Sequence, residues 1–311
     1  MRFLVLTLCA IALFSCKPYQ STTARKGQIT YDGFRQNQKT FNTSDGAIAY
    51  IDKGKSDKVI VLLHGVPTSG WLYRKMIDPL VNNGYRVIVP DMLGYGSSDN
   101  PKGYDIYSEE NHAQRLLELL DSLNITTWSH VMHDAGGLWT WELLKKQPQR
   151  INNLILLNTI IYEEGFDPPV RFKEGFMART AMWGYRNGIT TNVMLKNLFK
   201  SGMLQNNLNE IDVAGYKTPL REGKTRGMYY FFTQTCNTLP DYTSLTKSLD
   251  IPTAVIWGKE DTFLRIEPQK TQLQSSLNIK EENIHLLEAK HFIQEEKPEE
   301  IVTIISAFLE E

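Results

Sequence analysis

Three side chains able to do chemistry stand at the ends of apolar runs in this chain. Asp134 lies in "HVMHDAGGLW" (residues 130–139), Asp261 in "GKEDTF" (258–263) and His291 in "AKHFIQEE" (289–296). A carboxylate has a reference pKa of about 4, so at neutral pH it is an anion that needs no base to deprotonate it. Such a group can displace a leaving group in line at a saturated carbon and become an ester. A histidine can then activate water against that ester, and a second carboxylate can orient the histidine. Taken singly, Asp134 reads equally well as a helix N-cap, Asp261 as a turn former and His291 as a loop residue. Taken in this order, each just after a strand-like run, the three are hard to explain blandly.

The elements that must position them follow from hydrophobic periodicity. "KVIVLLHG", "YRVIVPD", "TWSHVMHD", "INNLILLNT", "PTAVIWG" and "NIHLLEA" are short, β-branched, apolar runs of buried-strand length. Between them lie helical stretches: "WLYRKMIDPLVNNG", residues 107–122, "AGGLWTWELLKKQ", a piece near 267–276, and "PEEIVTIISAFLEE". Two further short strands at "KTFNTSDGAIAYIDKG" turn at Asp45-Gly46. This alternation predicts an α/β fold, a mostly parallel sheet flanked by helices on both faces. Strand, sharp turn and helix around Asp134 match a nucleophile elbow, with Gly136 and Gly137 allowing close helix–strand approach.

Residues 160–247 break the pattern. They are rich in Tyr, Phe, Met, Gly and Asn, hold helix-like pieces such as "NVMLKNLF", and show no convincing strand. A segment this long is no simple loop and reads as a helical cap inserted after the sixth strand, over the C-terminal ends of the strands where open sheets bind ligands. The core is then 36–159 plus 248–311.

The pieces "HGVPTSGWLYRK", "PDMLGYGSSDNP", "HDAGG", "WGKEDTF" and "KHFIQEE" together resemble the aspartate-nucleophile branch of the α/β-hydrolases, the haloalkane dehalogenases and epoxide hydrolases. The resemblance spans most of 58–311 outside the cap. It implies the α/β-hydrolase fold, with Asp134 as nucleophile, His291 as base and Asp261 orienting His291. It also implies an oxyanion hole made by the backbone N–H groups of Val66 and Ala135, with no cofactor and no metal. Some relatives carry the acid after the preceding strand; Asn158 stands there and favours Asp261.

The leaving group separates the two chemistries. A halide needs donors, typically a tryptophan after the nucleophile plus a second Trp or an Asn; here those positions hold Ala135 and Val66, and only Trp183 of "TAMWGY" offers an indole. An epoxide alkoxide needs an acidic O–H, supplied in that family by cap tyrosines. "GMYYFF" offers Tyr230, though Phe231 replaces the arginine often found next, and Tyr162 and Tyr185 are alternatives for a second tyrosine. The reading favours opening of epoxides of small apolar substrates by water, with haloalkane hydrolysis as runner-up. Another hydrolysis by the same triad, or an inactive lipid-anchored binding protein of this fold, stays open.

The remaining composition bounds the setting. The chain has 311 residues, 41% hydrophobic and 22% charged, with net charge −1 and no long basic run, so nothing points to nucleic acid. Cys9 and Cys16 are N-terminal and Cys236 is the only other cysteine, which excludes an intrachain disulfide framework in the folded part. The start, "MRFLVLTLCAIALFSCKPYQ", has Arg2, an apolar run over 3–14 and Ser15 before Cys16. It reads as a signal segment of residues 1–16 whose "LFSC" end resembles a bacterial lipobox, despite the imperfect Phe14. That implies lipidation of Cys16, a polar tether over 17–35 and an exported, membrane-anchored protein; plain secretion and a retained anchor are the alternatives.

Overall fold

The structure is a computed structural model that describes residues 27–310. The signal segment, Cys16 and the first part of the expected tether lie outside the described residues. Eight strands form one sheet: β1 (Lys39–Asn42), β2 (Ala47–Lys53), β3 (Val59–Leu63), β4 (Arg86–Pro90), β5 (Trp128–Asp134), β6 (Ile151–Thr159), β7 (Thr253–Gly258) and β8 (Ile284–Leu287). Their order is β1-β2-β4-β3-β5-β6-β7-β8. The β1–β2 and β2–β4 pairs are antiparallel and all others parallel, so the sheet is mostly parallel as expected. Every residue of β3, β5 and β7 is buried, the burial that continuous apolar runs require when helices cover both faces.

The helices begin with α1 (Tyr31–Gln36), then α2 (Arg74–Asn82), α3 (Glu109–Ser122) and α4 (Gly136–Lys146). Between β6 and β7 the chain inserts α5 (Phe176–Arg186), α6 (Gly188–Gly202), α7 (Glu210–Arg221), α8 (Arg226–Thr233) and α9 (Thr243–Ser248). The core resumes with α10 (Lys270–Ser276), α11 (Ile293–Glu296) and α12 (Pro298–Glu310).

One boundary differs from the expectation. Residues 31–35, read as tether, belong to α1, whose Thr30 cap side chain accepts the Gly33 N–H at 3.1 Å. Tyr31 and Phe34 are buried edge-on against Trp71, with centroids 5.5 and 5.4 Å away. Two apolar residues in a polar stretch are too few to register as periodicity, yet one aromatic anchor pair suffices to dock a single turn.

The inserted helices are bolted to the core by a buried ionic cluster. Arg74 of α2 pairs with Glu295 of α11 and with Asp212 of α7 at 2.8 Å, while Tyr216 of α7 donates its O–H to Glu295. The Trp71 indole lies under Arg74 at 4.4 Å and donates to the Asp212 carbonyl at 2.9 Å. Gly215 sits on that indole so closely that a Cβ would come within 2.4 Å of the ring.

Candidate active site

Asp134 ends β5 with φ at +52°, in the left-handed region that costs a non-glycine residue about 1–3 kcal/mol. The surroundings hold it there: its carbonyl accepts the Ile160 N–H at 3.1 Å and the Thr159 hydroxyl at 2.8 Å. The glycines that follow are sterically required. A Cβ on Gly136 would lie 2.7 Å from the His64 carbonyl, and one on Gly137 only 2.2 Å from the Thr159 hydroxyl oxygen.

The carboxylate is held from both ends. Val66 N–H donates to Asp134 Oδ1 at 2.6 Å, and the Ala135 N–H also faces it. Burial pushes the Asp134 carboxyl upward, opposed by His291 and by these two N–H groups. Its other oxygen, Oδ2, stands 3.7 Å from His291 Nε2. His291 Nδ1–H donates to Asp261 Oδ2 at 2.9 Å, while Asp261 Oδ1 accepts the N–H groups of Phe263 and Leu264 at 2.8 and 3.1 Å. Burial alone would lower the His291 pKa; the Asp261 carboxylate and its hydrogen bond, with Asp134 beyond, outweigh it and raise the pKa above the ordinary histidine value.

Both ring nitrogens of His64 are engaged by the backbone. The Met92 N–H donates to its Nε2 at 2.9 Å, so Nδ1 bears the proton and donates to the Gly65 carbonyl at 2.8 Å. Burial holds its pKa down at about 4, and the ring serves as a brace for the turn that carries Val66.

Above Asp134 and His291 lies a cavity of about 40 Å³, walled by Phe166, Leu198, Phe231, Phe263 and Phe292. Tyr185 carries the only side-chain hydroxyl among its lining residues, and burial pushes that phenol above the ordinary tyrosine range. The structure thus brings Asp134, His291, Asp261, Val66, Ala135 and Tyr185 together.

The other leaving-group candidates stand elsewhere. Tyr230 does not line the cavity, and it feels the Glu109 and Asp105 carboxylates instead. On α8 the pocket-facing positions are Phe231 and Phe232, while Tyr229 stacks on Tyr104 at 4.2 Å. Tyr162 is buried with its hydroxyl 3.2 Å from that of Thr246. Trp183 is exposed and lines a separate cavity where cap residues meet Tyr104 of the core. Sequence reasoning did not single out the phenylalanine wall: Phe166 and Phe231 of the cap signal core packing as readily as a pocket, and Phe263 and Phe292 lie in the core beside Asp261 and His291. Among the described residues no group of His, Cys, Asp and Glu is arranged to hold a metal.

A carboxylate on a strained elbow, a histidine backed by a second carboxylate, and paired N–H donors at the first carboxylate define an α/β-hydrolase. The model of the alpha/beta hydrolase fold family matches residues 58–298, and the chain belongs to that family. It is similar to a haloalkane dehalogenase of Mycolicibacterium paratuberculosis, 38% identical over 110 residues, a stretch that covers 35% of this chain and 36% of that one. It is also similar to a cis-3-alkyl-4-alkyloxetan-2-one decarboxylase of Shewanella oneidensis, 28% identical over 84% of this chain and 85% of the relative. Among solved structures, an epoxide hydrolase of Vigna radiata shares the fold with a TM-score of 0.72, at 21% identity over 88% of this chain and 97% of that one. The chain is thus similar to proteins named for dehalogenation, for oxetanone decarboxylation and for epoxide hydrolysis, within one fold family.

Proposed function

We propose that the chain opens epoxides of small apolar substrates with water through an ester on Asp134. The observation that carries this reading is the makeup of the cavity: the carboxylate–histidine pair faces one phenol, Tyr185, and no side-chain N–H pair suited to a halide. In the first step Asp134 Oδ2 attacks a ring carbon in line. The C–O bond breaks, and the departing oxygen takes the Tyr185 hydroxyl proton. In the second, His291 Nε2 takes a proton from water and the hydroxide attacks Cγ of Asp134. The oxyanion that forms is held by the Val66 and Ala135 N–H groups. Collapse releases the diol as His291 gives its proton to the leaving oxygen; Asp134, left as the acid, loses its proton to solvent, and solvent reprotonates the Tyr185 phenolate. The 3.7 Å separation between Nε2 and Oδ2 leaves Nε2 free for the water rather than locked onto the nucleophile. A cavity of about 40 Å³ holds about one water, so entry of substrate requires the phenylalanine wall to part.

A His291→Gln chain mixed with a small epoxide should gain the mass of the whole epoxide, because the ester forms and is not hydrolysed. A gain equal to an alkyl group from a haloalkane, with no epoxide adduct, would replace this reading with dehalogenation. No adduct from either would leave the family alone established. We also propose export and lipidation at Cys16; unchanged mass and membrane association in a Cys16→Ala chain would refute it.

A further inference from the structure

The outer face of α5 and α6 is built unlike the rest of the surface. Among the described residues the large hydrophobic side chains most open to solvent are Phe176 (82%), Met177 (75%), Ile189 (69%) and Trp183 (60%), all on these two helices. They are not stranded core residues. Along α5 the positions 178, 182 and 185 face inward, and Tyr185 reaches the active-site cavity. Phe176, Thr180 and Trp183 recur at the same helical spacing on the opposite side, and Ile189 and Val193 continue the exposed stripe on α6.

Basic side chains predominate along α5 and α6, with Glu174 just before them and Glu210 just after. Residues 175–209 contain Arg179, Arg186, Lys196 and Lys200 and no Asp or Glu, in a chain whose basic and acidic totals are 34 and 35. Arg179, Trp183 and Arg186 share one helical line, and with Arg226, Tyr104 and Tyr229 they wall a cavity of about 200 Å³. Among the described residues neither Arg179 nor Arg186 has a carboxylate partner, and Arg226 donates only to the Asn100 carbonyl.

We propose that this face docks onto an anionic phospholipid bilayer, with Phe176, Met177, Trp183 and Ile189 entering the headgroup–acyl boundary and the arginine cavity receiving headgroup phosphates. Exposed aromatic and aliphatic side chains interleaved with cations are what an interfacial helix needs, and indole favours that boundary. A second copy of the chain fits worse. A two-fold contact would set two arginine-bearing patches against each other, with no carboxylate among residues 175–209 to neutralise them. Gln28, near the start of the described residues, donates to Asn209 at 3.3 Å at the start of the cap helix α7, the helix whose other end packs Arg221 against Gly188 of α6. The eleven bonds from Cys16 to Gly27 reach at most about 40 Å, at roughly 3.6 Å per residue. Since α5 carries Tyr185 inward and Trp183 outward, docking would set the wall of the active-site cavity one helix away from the lipid. Apolar substrates would then pass from bilayer to pocket with little exposure to water.

The six tryptophans make the test direct, because the other five are at most 3% exposed. The full chain is reconstituted into phosphatidylcholine vesicles with or without phosphatidylglycerol, using brominated acyl chains as indole quenchers. The proposal expects quenching with phosphatidylglycerol that disappears in Trp183→Phe. It also expects at least a tenfold loss of that effect in the Arg179→Gln/Arg186→Gln chain, at about 1 kcal/mol per basic residue near the surface. Trp183 left open to aqueous iodide on anionic vesicles would overturn it. So would equal quenching without phosphatidylglycerol, or shielding of Trp183 in lipid-free solution with a doubled mass, which would assign the face to a second copy. None of these readouts depends on turnover, so the epoxide reading can fail separately.

Discussion

Asn158 donates its amide N–H to Oδ2 of Asp261 at 2.6 Å, the same oxygen that accepts Nδ1–H of His291. Asn158 is itself fixed, since its Oδ1 accepts the Gly258 N–H at 2.9 Å. Asn158 thus braces the carboxylate that Asp261 presents to His291. Removing a hydrogen bond to a charged group costs about 1.5–3 kcal/mol, so Asn158→Ala should lower kcat roughly 10- to 150-fold with KM nearly unchanged. In Asn158→Asp two buried carboxylates would face each other and could not both ionise. The acid limb of its pH–rate profile should move, which a merely structural role would not produce.

The pH dependence follows from His291. Asp261 and Asp134 raise its pKa in the free chain, against the effect of burial. The base must be neutral to accept a proton from water, so ester hydrolysis is lost as pH falls through the His291 pKa. Once Asp134 is esterified its negative charge is gone, and one of the groups raising His291 goes with it. Single-turnover hydrolysis of the ester should therefore show an acid limb at lower pH than the His291 titration measured by NMR in the free chain. Coincident values would mean that Asp134 contributes little to the histidine.

Most of the sheet was legible in the sequence because buried parallel strands are continuous apolar runs, and the three chemistry-bearing residues each end one. Asp134, Asp261 and His291 converge because β5, β7 and β8 are parallel and finish at the same edge. The cap was legible only as a helical insertion. Tyr230 and Phe231 are neighbours in sequence but about 100° apart around α8, so the motif did not say which one meets the pocket. The left-handed backbone of Asn158, at φ +34°, and its amide on Asp261 left no sequence trace beyond a polar residue at the end of an apolar run.

Tyr185 should matter in proportion to the basicity of the leaving group. An alkoxide leaving an epoxide needs a proton, so Tyr185→Phe should slow ester formation from epoxides by about 10²- to 10⁴-fold, the usual scale of general acid catalysis. A haloalkane, whose leaving group needs no proton, should be affected far less, and Tyr230→Phe should change neither rate much. Rapid-quench mass measurement of ester formation in the His291→Gln background isolates this step. Equal losses at Tyr185 and Tyr230 would point to packing rather than proton donation.

Glu295 and Arg74 form the ion pair on which cap and core meet, and both are buried, as is Tyr216, which also donates to Glu295. Lys75 adds a contact to Glu295 at 2.8 Å, and the carboxyl is held below its ordinary range: burial would raise it, but Arg74 and Lys75 lower it by more. Breaking such a pair strands one charge away from water, which costs about 3–5 kcal/mol, whereas an exposed pair contributes about 0–1 kcal/mol. Arg74→Ala should therefore lower stability in denaturant titration far more than Lys53→Ala, whose 2.5 Å pair with Asp78 is open to solvent on both sides. The sign with pH follows from the depressed Glu295 pKa. The stability it contributes is full above the carboxyl's unfolded pKa, near 4.5, and is lost as pH falls through the lower folded value. Because Asp212 and Tyr216 belong to α7 while Glu295 follows His291 by four residues, the same break should loosen the cap and His291 together. Hydrogen exchange in Arg74→Ala should rise in α7 and in residues 289–296 before it rises in β5. Uniform acceleration across the chain would show that the pair stabilises the fold without coupling those two segments.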